Sequence, residues 1–257
     1  MDVAEFAQGI SFRFLQPATP RPSGFRALNH LARKAGIHLE MWMTRLPEGQ
    51  DEMQARLAQI CRGPRMSTFA IGAIINRAVE QMSEGHTYLN VGVANGFALL
   101  AGMARNPGKT CVGVDEFAQS NAHRGGFLKR FERLRGANHA FYETDFRKYL
   151  AESHSQPLGV YVVDGRSTYE DQRDALKLAE PYFARGCLVL ADDTNWPHVR
   201  EANVDFLKAS AFEYRTVLDV QTPRTGHPTF WNGIMLFEHG KRKSAAGGIG
   251  RPRRAAA

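Results

Sequence analysis

Short apolar runs alternate with segments of helical periodicity from residue 87 onward, and this alternation constrains the fold more than any other feature. The runs, in chain order, are TYLNVGV (87–93), TCVGVD (110–115), HAFYETD (139–145), LGVYVVD (158–164), GCLVLADD (186–193), EYRTVLDV (213–220) and WNGIMLFE (231–238). A helical segment follows each of the first five runs. Strands that alternate with helices predict βαβ units, a mostly parallel sheet and a doubly wound α/β domain. Ligands of such sheets bind beyond the carboxyl ends of the strands.

Residues 1–84 differ from the rest of the chain. Prolines at positions 17, 20 and 22 interrupt the early part, and three later segments have apolar residues at helical spacing. These segments are FRALNHLARKAG (25–36), DEMQARLAQICR (51–62) and STFAIGAIINRAVEQM (67–82), the last with Ser67 or Thr68 as a candidate cap. They predict an N-terminal helical extension or lid over residues 1–84, ahead of a ligand-binding domain over residues 85–240.

The net charge of +7 raises the question of nucleic-acid binding. Most of the excess lies in residues 241–257, KRKSAAGGIGRPRRAAA, a segment without acids or apolar periodicity. This composition predicts a basic, disordered and solvated tail. An anchor for RNA or for an anionic surface is the alternative.

Several features of the sequence indicate the cellular compartment of the protein. No segment approaches the roughly 18 apolar residues of a membrane span, and the opening MDVAEFAQGISF lacks the pattern of a secretory signal. The cysteines, Cys61, Cys111 and Cys187, have no spacing typical of a disulfide framework or a zinc site. We therefore expect a cytoplasmic protein with no membrane partner.

A glycine turn, Asn90-Val91-Gly92-Val93-Ala94-Asn95-Gly96, follows the first predicted strand. Gly92 permits a tight turn and Gly96 permits close backbone approach, so a ligand can rest on the peptide groups. The next strand ends in Asp115, about 20 residues later, where an acid can accept hydrogen bonds from both ribose hydroxyls of an adenosine ligand. An ordinary connection, with Asp115 as a helix cap, is the alternative.

The composition of this turn bears on which nucleoside binds. A dinucleotide carries a pyrophosphate and favours G-x-G-x-x-G at a helix N-terminus, whereas this chain has Val93 and Ala94 there. S-adenosylmethionine has no phosphate and needs room, a ribose acceptor and polar groups for its amino-acid end. The turn therefore favours S-adenosylmethionine and disfavours a nicotinamide-dependent dehydrogenase.

The run from Tyr88 to Asp193 resembles the class I S-adenosylmethionine-dependent methyltransferases. Within them it is most similar to the catechol and macrocin O-methyltransferase type of small-molecule enzyme, over residues 64–240. The resemblance implies a Rossmann-like, seven-stranded sheet whose last strand is antiparallel. It also implies that Gly92 and Gly96 flank the cofactor and that Asp115 holds its ribose. Asp145 corresponds to the position near the adenine.

Asn90 departs from the pattern of the resembled enzymes, which usually have Glu or Asp before the glycine turn. An Asn side chain still accepts and donates hydrogen bonds, but it provides no negative charge near the ammonium group of the ligand. Asn90 remains a candidate for cofactor binding.

Three acids follow the fourth and fifth predicted strands: Asp164, Asp192 and Asp193. Neighbouring strand ends bring them to the rim that carries the glycine turn, and clustered carboxylates repel unless a cation or a proton joins them. Hard oxygen ligands suit Mg²⁺ or Ca²⁺. In the resembled enzymes, three such positions hold a divalent metal that lowers the pKa of an acceptor hydroxyl. We therefore predict a Mg²⁺ site on these three acids, with Asn195 as a substitute for one of them.

Other roles stay open for these residues. Asp and Asn after strands often cap the next helix, and Thr194 or Asn195 is a candidate cap for the helix that Pro197 opens. Asp164 is also a candidate for contact with the methionine end of the cofactor without metal.

A general base is not assigned. The resembled enzymes have a Lys near the position of Ser167 or an acid at that of Arg166, and Arg cannot act as a base near neutral pH. Asp164 is the catalytic candidate. His198 and His227 are the histidines nearest to the rim in sequence, although a lone loop histidine is more often structural.

The predicted function is methyl transfer from S-adenosylmethionine to a hydroxyl of a small-molecule acceptor, aided by Mg²⁺. Trp196, Arg166 and residues 222–231 are candidate substrate contacts, while Phe230 and Trp231 are predicted to start the last strand and pack in the core. An RNA methyltransferase anchored by the basic tail and a non-catalytic cofactor-binding module are the alternatives. Nucleic acid is not the expected partner, and the resemblance leaves a homodimer open because such relatives often form dimers.

Overall fold

The computed structural model describes residues 1–13, 15–20, 22–35, 37–118, 121–164 and 168–243, without the side chains of Arg26 and Arg33. The strands are β1 (Ser11–Phe12), β2 (Thr44–Arg45), β3 (Thr87–Val91), β4 (Thr110–Val114), β5 (His139–Tyr142), β6 (Leu158–Val163), β7 (Phe183–Asp192), β8 (Phe212–Val220) and β9 (Ile234–Arg242). The helices are α1 (Val3–Gly9), α2 (Phe25–Lys34), α3 (Leu39–Met43), α4 (Asp51–Cys61), α5 (Phe69–Gln81), α6 (Phe97–Met103), α7 (Asn121–Leu134), α8 (Phe146–Glu152), α9 (Tyr169–Ala179) and α10 (Pro197–Ala209), and a 3₁₀ turn (Glu180–Tyr182) precedes β7.

The main sheet has seven strands in the order β5-β4-β3-β6-β7-β9-β8. Strands β3 to β7 pair in parallel, and β9 pairs antiparallel with both β7 and β8. The predicted Rossmann-like α/β fold with an antiparallel last strand is therefore confirmed. Chain order reverses between β3 and β6, and the switch point where ligands of such sheets bind lies there.

Helices cover both faces of this sheet. All residues of β3 are buried, and successive side chains of the strand enter opposite layers because the side-chain period of a strand is two. Tyr88 belongs to the hydrophobic cluster that contains residues of α4 to α7, whereas Leu89 belongs to the cluster with residues of α8 to α10. Burial on both sides explains why the parallel strands are continuous apolar runs in the sequence.

The predicted N-terminal helices are present as α2, α4 and α5. Thr68 caps α5, since its hydroxyl accepts a hydrogen bond from the backbone amide of Ile71 (3.4 Å). Helix α5 packs against α6 and shares a core cluster with the sheet. We therefore place residues 69–81 structurally in the helical layer of the sheet, although they lie within the predicted extension. The short elements α1, α3, β1 and β2 are not predicted from the sequence.

The C-terminal segment begins inside the sheet. Strand β9 continues to Arg242, and the backbone amide of Lys243 donates to the carbonyl of Ala211 (2.8 Å). The prediction of a disordered tail is thus wrong for residues 241–243, because their backbone groups pair with the neighbouring segment. Residues 244–257 lie outside the described residues. Among the helices of the described chain, none has the length and apolar character needed to cross a bilayer.

Candidate active site

A cleft of about 510 Å³ opens at the carboxyl ends of β3, β4 and β6, at the switch point of the sheet. The walls come from the loops after these strands, from the start of α8, from α9 and from the loop before β9. The lining includes Met66, Gly92, Ala94, Asp115, Glu116, His123, Asp145, Phe146, Arg147, Asp164, Asp171, Asp193, Trp196, Thr225 and Trp231.

Gly92 forms the turn directly after β3 and lines the cleft. Its φ of 80° lies in the left-handed region, and its amide donates to the carbonyl of Val114 (3.0 Å). A Cβ at this position would overlap the backbone oxygen of Asp164. Only glycine therefore lets the ends of β3 and β6 meet at this distance.

Gly96 is predicted to lie against a ligand, but its close neighbour in the structure is the ring of Phe127. It is the N-cap of α6 with φ of 85°, and a Cβ there would overlap the ring of Phe127 in α7. The close approach that this glycine permits is that of an aromatic side chain to the turn. The turn residue that lines the cleft next to Gly92 is Ala94, whose φ is 46°.

Asp115 joins the end of β4 to the glycine turn. Its Oδ2 accepts a hydrogen bond from the backbone amide of Ala94 (2.7 Å), and its Oδ1 accepts one from the amide of Phe117 (2.7 Å). A carboxylate has about four lone-pair sites, so both oxygens can still accept from a ligand. The structure thus places Gly92 and Asp115 at one edge of the sheet, facing the same cleft.

Asn90 lies inside the sheet and does not line the cleft. The side chain is fully buried, and its Nδ2 donates weakly to the carbonyls of Val91 (3.4 Å) and Val162 (3.5 Å). Its Oδ1 has no hydrogen-bond partner among the described residues. In this structure Asn90 joins β3 to β6, and contact with a cofactor stays a prediction.

Asp145 lines the cleft and also caps α8. Its Oδ1 accepts hydrogen bonds from the backbone amides of Arg147 (2.8 Å) and Lys148 (3.2 Å). The Arg147 guanidinium lies 4.5 Å from the ring centre of Phe146 and binds Asp171 (2.8 Å) and Asp174 (2.8 Å). Since Asp171 also lines the cleft, Arg147 neutralises part of the acidic charge of this wall.

The three acids after β6 and β7 differ in environment. Asp164 and Asp193 line the cleft, whereas Asp192 is buried and its Oδ1 accepts from the amide of Asp193 (2.8 Å). Burial, together with repulsion from Asp164 and then Asp193, raises the pKa of Asp192 well above its ordinary value. Protonation of Asp192 would therefore remove its repulsion by Asp164 and Asp193.

The predicted metal site does not fit this arrangement. In the described part of the chain, no three His, Cys, Asp or Glu side chains converge as a set that could hold a metal ion. The expected set of Asp164, Asp192 and Asp193 is thus not assembled, and Asn195 does not replace a member.

Asn195 holds two loops together instead. Its Nδ2 donates to the carbonyl of Thr222 (2.6 Å), and its Oδ1 accepts from the amide of Thr222 (3.0 Å). Helix α10 begins at Pro197 as expected, but its N-cap is Trp196, without a side-chain cap. The candidate caps Thr194 and Asn195 are therefore wrong, because Asn195 is engaged elsewhere and the cap position is that of Trp196.

Neither candidate histidine lines the cleft. His198 is half-buried and stacks on Trp196, with ring centres 6.4 Å apart. His227 is buried, and its ring nitrogens contact Thr229 Oγ1 (2.6 Å) and the carbonyl of Thr19 (2.9 Å). Because a carbonyl only accepts, Nε2 carries the proton and Nδ1 accepts from Thr229. This ring fixes the 226–231 loop to the N-terminal segment.

Two tryptophans border the open end of the cleft. Trp196 is 48% exposed, and Trp231 is partly buried with a backbone φ of 45°. Strand β9 begins only at Ile234, so the prediction that Trp231 starts this strand is wrong: the left-handed backbone turns the chain before the strand. Phe230 is buried, as expected, with its ring edge-on to Phe12 at 5.5 Å. Arg166 and Ser167 lie outside the described residues.

Residues 89–194 match the family model described as a methyltransferase domain. These residues form a methyltransferase domain. The domain includes β4 to β7 with Gly92, Asp115 and Asp164, and its sheet has the class I order. The prediction of a methyltransferase domain is therefore confirmed for these residues, while the catechol and macrocin subgroup stays a prediction.

Solved structures share the fold of the methyltransferase domain and its extension. A candidate O-methyltransferase from Klebsiella pneumoniae is 12% identical with a TM-score of 0.53, over 83% of this chain and 96% of the other. The SAH-bound methyltransferase PaMTH1 of Podospora anserina is 12% identical with a TM-score of 0.53, over 90% and 100%. A cofactor-bound protein from MTB is 12% identical with a TM-score of 0.55, over 86% and 98%. Such identities show the fold alone, and no curated protein matches this chain.

Several cleft residues of the methyltransferase domain and its flank are not singled out by sequence patterns: Met66, Glu116, His123, Phe146 and Arg147. Glu116 directly follows Asp115, and Phe146 follows Asp145, so adjacency to a predicted site is the signal that could have found them. Met66 comes from the segment before α5, where no motif marks it.

Proposed function

We propose that this chain transfers a methyl group from S-adenosylmethionine to an oxygen of a small hydroxylated acceptor. The observation that carries the proposal is the position of Asp115, which faces the switch-point cleft of a methyltransferase domain beside the Gly92 turn. When bound, S-adenosylmethionine supplies an electrophilic methyl group on a sulfonium sulfur.

The charge of the cleft supports a cationic ligand. Its walls carry these acids: Asp115, Glu116, Asp145, Asp164, Asp171 and Asp193. Among the described residues of the lining, Arg147 is the arginine, and it is paired with Asp171 and Asp174. Carboxylates attract the sulfonium and ammonium groups of S-adenosylmethionine and repel the pyrophosphate of a dinucleotide. The same charge disfavours an RNA backbone in this cleft.

Individual residues suit distinct parts of the cofactor. Asp115 has the acceptor sites for the two ribose hydroxyls, and Phe146 with Asp145 borders the position proposed for the adenine. We assign Asp164 to the ammonium group of the methionine end, because it follows β6 directly opposite Gly92. The SAH-bound state of the Podospora anserina structure agrees with a ligand of this kind at this fold.

The open end of the cleft suits a flat acceptor. Trp196 and Trp231 provide apolar faces on which an aromatic or sugar ring can stack, and Met66 adds a flexible apolar wall. Asp164 and Asp193 are the carboxylates that would take the proton from the acceptor hydroxyl, and S-adenosylmethionine, when bound, would supply the methyl group to the hydroxyl oxygen as its C–S bond breaks and S-adenosylhomocysteine leaves. Alignment of the two reactants provides much of the acceleration. No step is assigned to Mg²⁺, because the donor set does not fit it.

The intracellular setting is part of the proposal. Cys61, Cys111 and Cys187 are free and buried, and burial raises the pKa of Cys61 and of Cys111 to about 12. Buried neutral thiols persist in a reducing compartment, which supports the cytoplasm.

Incubation of the purified chain with methyl-labelled S-adenosylmethionine and a panel of phenols, catechols and sugars tests the proposal. We expect label in a base-stable ether product, formed by the wild type and by Asp219→Asn but not by Asp115→Ala. Asp219 is a suitable control because it pairs with Arg200 (2.6 Å) on the outer surface of β8. Label transferred to RNA, or label transfer that survives Asp115→Ala, would contradict it.

A further inference from the structure

Helix α2 carries its leucines on the side that faces solvent. Leu28 is 57% and Leu31 is 63% exposed, whereas Ala32 is buried. Leucines three residues apart lie on one face of a helix, and an amphipathic helix of a globular domain normally turns that face toward the core. The inverted orientation of α2 indicates that something outside the domain covers its leucines.

Two more apolar side chains extend this surface. Ile37, directly after α2, is 52% exposed, and Trp42 of α3 is 62% exposed. Helix α3 packs against α2, so these side chains belong to one helix pair. We call Leu28, Leu31, Ile37 and Trp42 the apolar surface. Exposed apolar groups concentrated in this way mark an interaction site.

A cavity of about 850 Å³ adjoins the apolar surface, because Ile37 and Trp42 also line it. Arg13, Arg45 and Arg62 line the same cavity, and within the described chain their guanidinium groups form no ion pair or hydrogen bond. The acids of the cavity are Glu48 and Asp51.

The positive character continues beyond this cavity. Arg62 also lines a neighbouring groove together with Arg130 and Arg133, and no acid contributes to the lining of that groove. The sequence of α2, FRALNHLARK, contains no acid either, and its His30 and Lys34 are exposed. An anionic partner complements this face of the molecule.

We propose that the α2–α3 helix pair docks on an anionic lipid bilayer. The apolar surface enters the headgroup region, where Trp42 has the amphipathic ring typical of that depth, and the arginines of the cavity face lipid headgroups. A basic amphipathic helix with exposed leucines binds membranes in this way, through apolar burial and electrostatic attraction together. The sequence predicts no membrane partner because no segment can span a bilayer. Docking on the surface of a bilayer does not need a membrane-spanning segment.

Other occupants fit the same face less well. A second copy of the chain would cover the leucines but would add a second set of basic side chains, Lys34 among them, to the same interface, which costs free energy. A nucleic acid would pair with the arginines but would leave Leu28 and Leu31 in water. The lipid surface satisfies both the apolar and the cationic groups.

Sedimentation of the full chain with vesicles tests the proposal without any methyl-transfer readout. Vesicles of phosphatidylcholine with phosphatidylglycerol should retain the wild type, and vesicles of phosphatidylcholine alone should retain much less. The double variant Leu28→Gln with Leu31→Gln should bind the anionic vesicles about tenfold more weakly, since two exposed leucines lose their burial. Leu178→Gln in α9, which changes another exposed leucine (41%) outside the apolar surface, should bind like the wild type.

Three outcomes would overturn the proposal. The first is no binding of the wild type to anionic vesicles. The second is unchanged vesicle binding by the double leucine variant, which would assign any binding to charge alone. The third is the absence of vesicle binding together with a different partner. That partner would be a second copy, if the wild type is a dimer and the double variant a monomer, or an oligonucleotide whose binding needs Arg13 and Arg45.

Discussion

The carboxylate of Asp115 accepts a hydrogen bond of 2.7 Å from the backbone amide of Ala94, and this contact ties the end of β4 to the turn after β3. The same carboxylate accepts from the amide of Phe117 (2.7 Å). Asp115 thus shapes the cleft and faces it at once. A change at this position should affect ligand affinity more than the stability of the sheet.

Asp115→Ala should weaken binding of S-adenosylmethionine by at least about 100-fold, because each lost hydrogen bond to a charged acceptor costs about 1.5–3 kcal/mol. Isothermal titration calorimetry measures the loss. Asp219→Ala should retain wild-type affinity, and equal affinities of the two variants would remove Asp115 from the proposed ribose site.

Gly92→Ala should destabilise the fold by more than about 3 kcal/mol, since the added Cβ would overlap the backbone oxygen of Asp164. Gly85→Ala is the matched control, because Gly85 has a similar φ of 77° and open space around its Cβ position. That control should lose only about 1–2 kcal/mol. Urea unfolding, monitored by circular dichroism, gives the free energy of unfolding of both variants. Equal losses of this free energy would show that the close approach of β3 and β6 is not what requires Gly92.

Asp192→Asn should raise the free energy of unfolding near pH 8. Burial, together with Asp164 and Asp193, raises the pKa of Asp192 in the folded state. The folded state then binds the proton more tightly than the unfolded state, so stability falls as the pH rises from the unfolded pKa of about 3.9 toward the folded pKa.

The same variant should match the wild type near pH 3, below the unfolded pKa of about 3.9, where Asp192 is largely neutral in both states. Asp219→Asn, whose carboxylate is paired with Arg200, should not raise stability at either pH. Urea unfolding at the two pH values is the measurement. A loss of stability in Asp192→Asn near pH 8 would mean that the buried carboxylate is charged and compensated.

Trp196→Ala should raise the KM for the acceptor roughly tenfold through lost stacking, with little change in affinity for S-adenosylmethionine. Trp42→Ala is the control, since Trp42 is also exposed but lies on the α2–α3 pair. Steady-state kinetics with the best acceptor separates the two effects. An unchanged KM would place the acceptor away from Trp196.

Local patterns are sufficient for much of the fold. Strands β3 to β7 are apolar because both faces of the sheet are covered, and Thr68 marks the start of α5. The left-handed backbone of Trp231 has no such local signal, so its place in the cleft wall was missed. The two-residue strands β1 and β2 are too short for a periodicity to reveal them.

Long-range contacts explain the other differences at the site. Gly96 accommodates Phe127, and His227 binds the carbonyl of Thr19, far away in the chain. The sequence marks Gly96 and His227 as candidates for the site, but it does not indicate which side chain or carbonyl each one contacts. The metal site stays a prediction without support, since strand order places Asp192 near Asp164 but does not reveal that Asp192 is buried.

Calorimetric titration of the wild-type chain with S-adenosylmethionine, and separately with NAD, tests the central claim most directly. The acid-lined cleft beside Gly92 and Asp115 predicts one S-adenosylmethionine per chain and no detectable heat from NAD. Binding of NAD without binding of S-adenosylmethionine would contradict the claim.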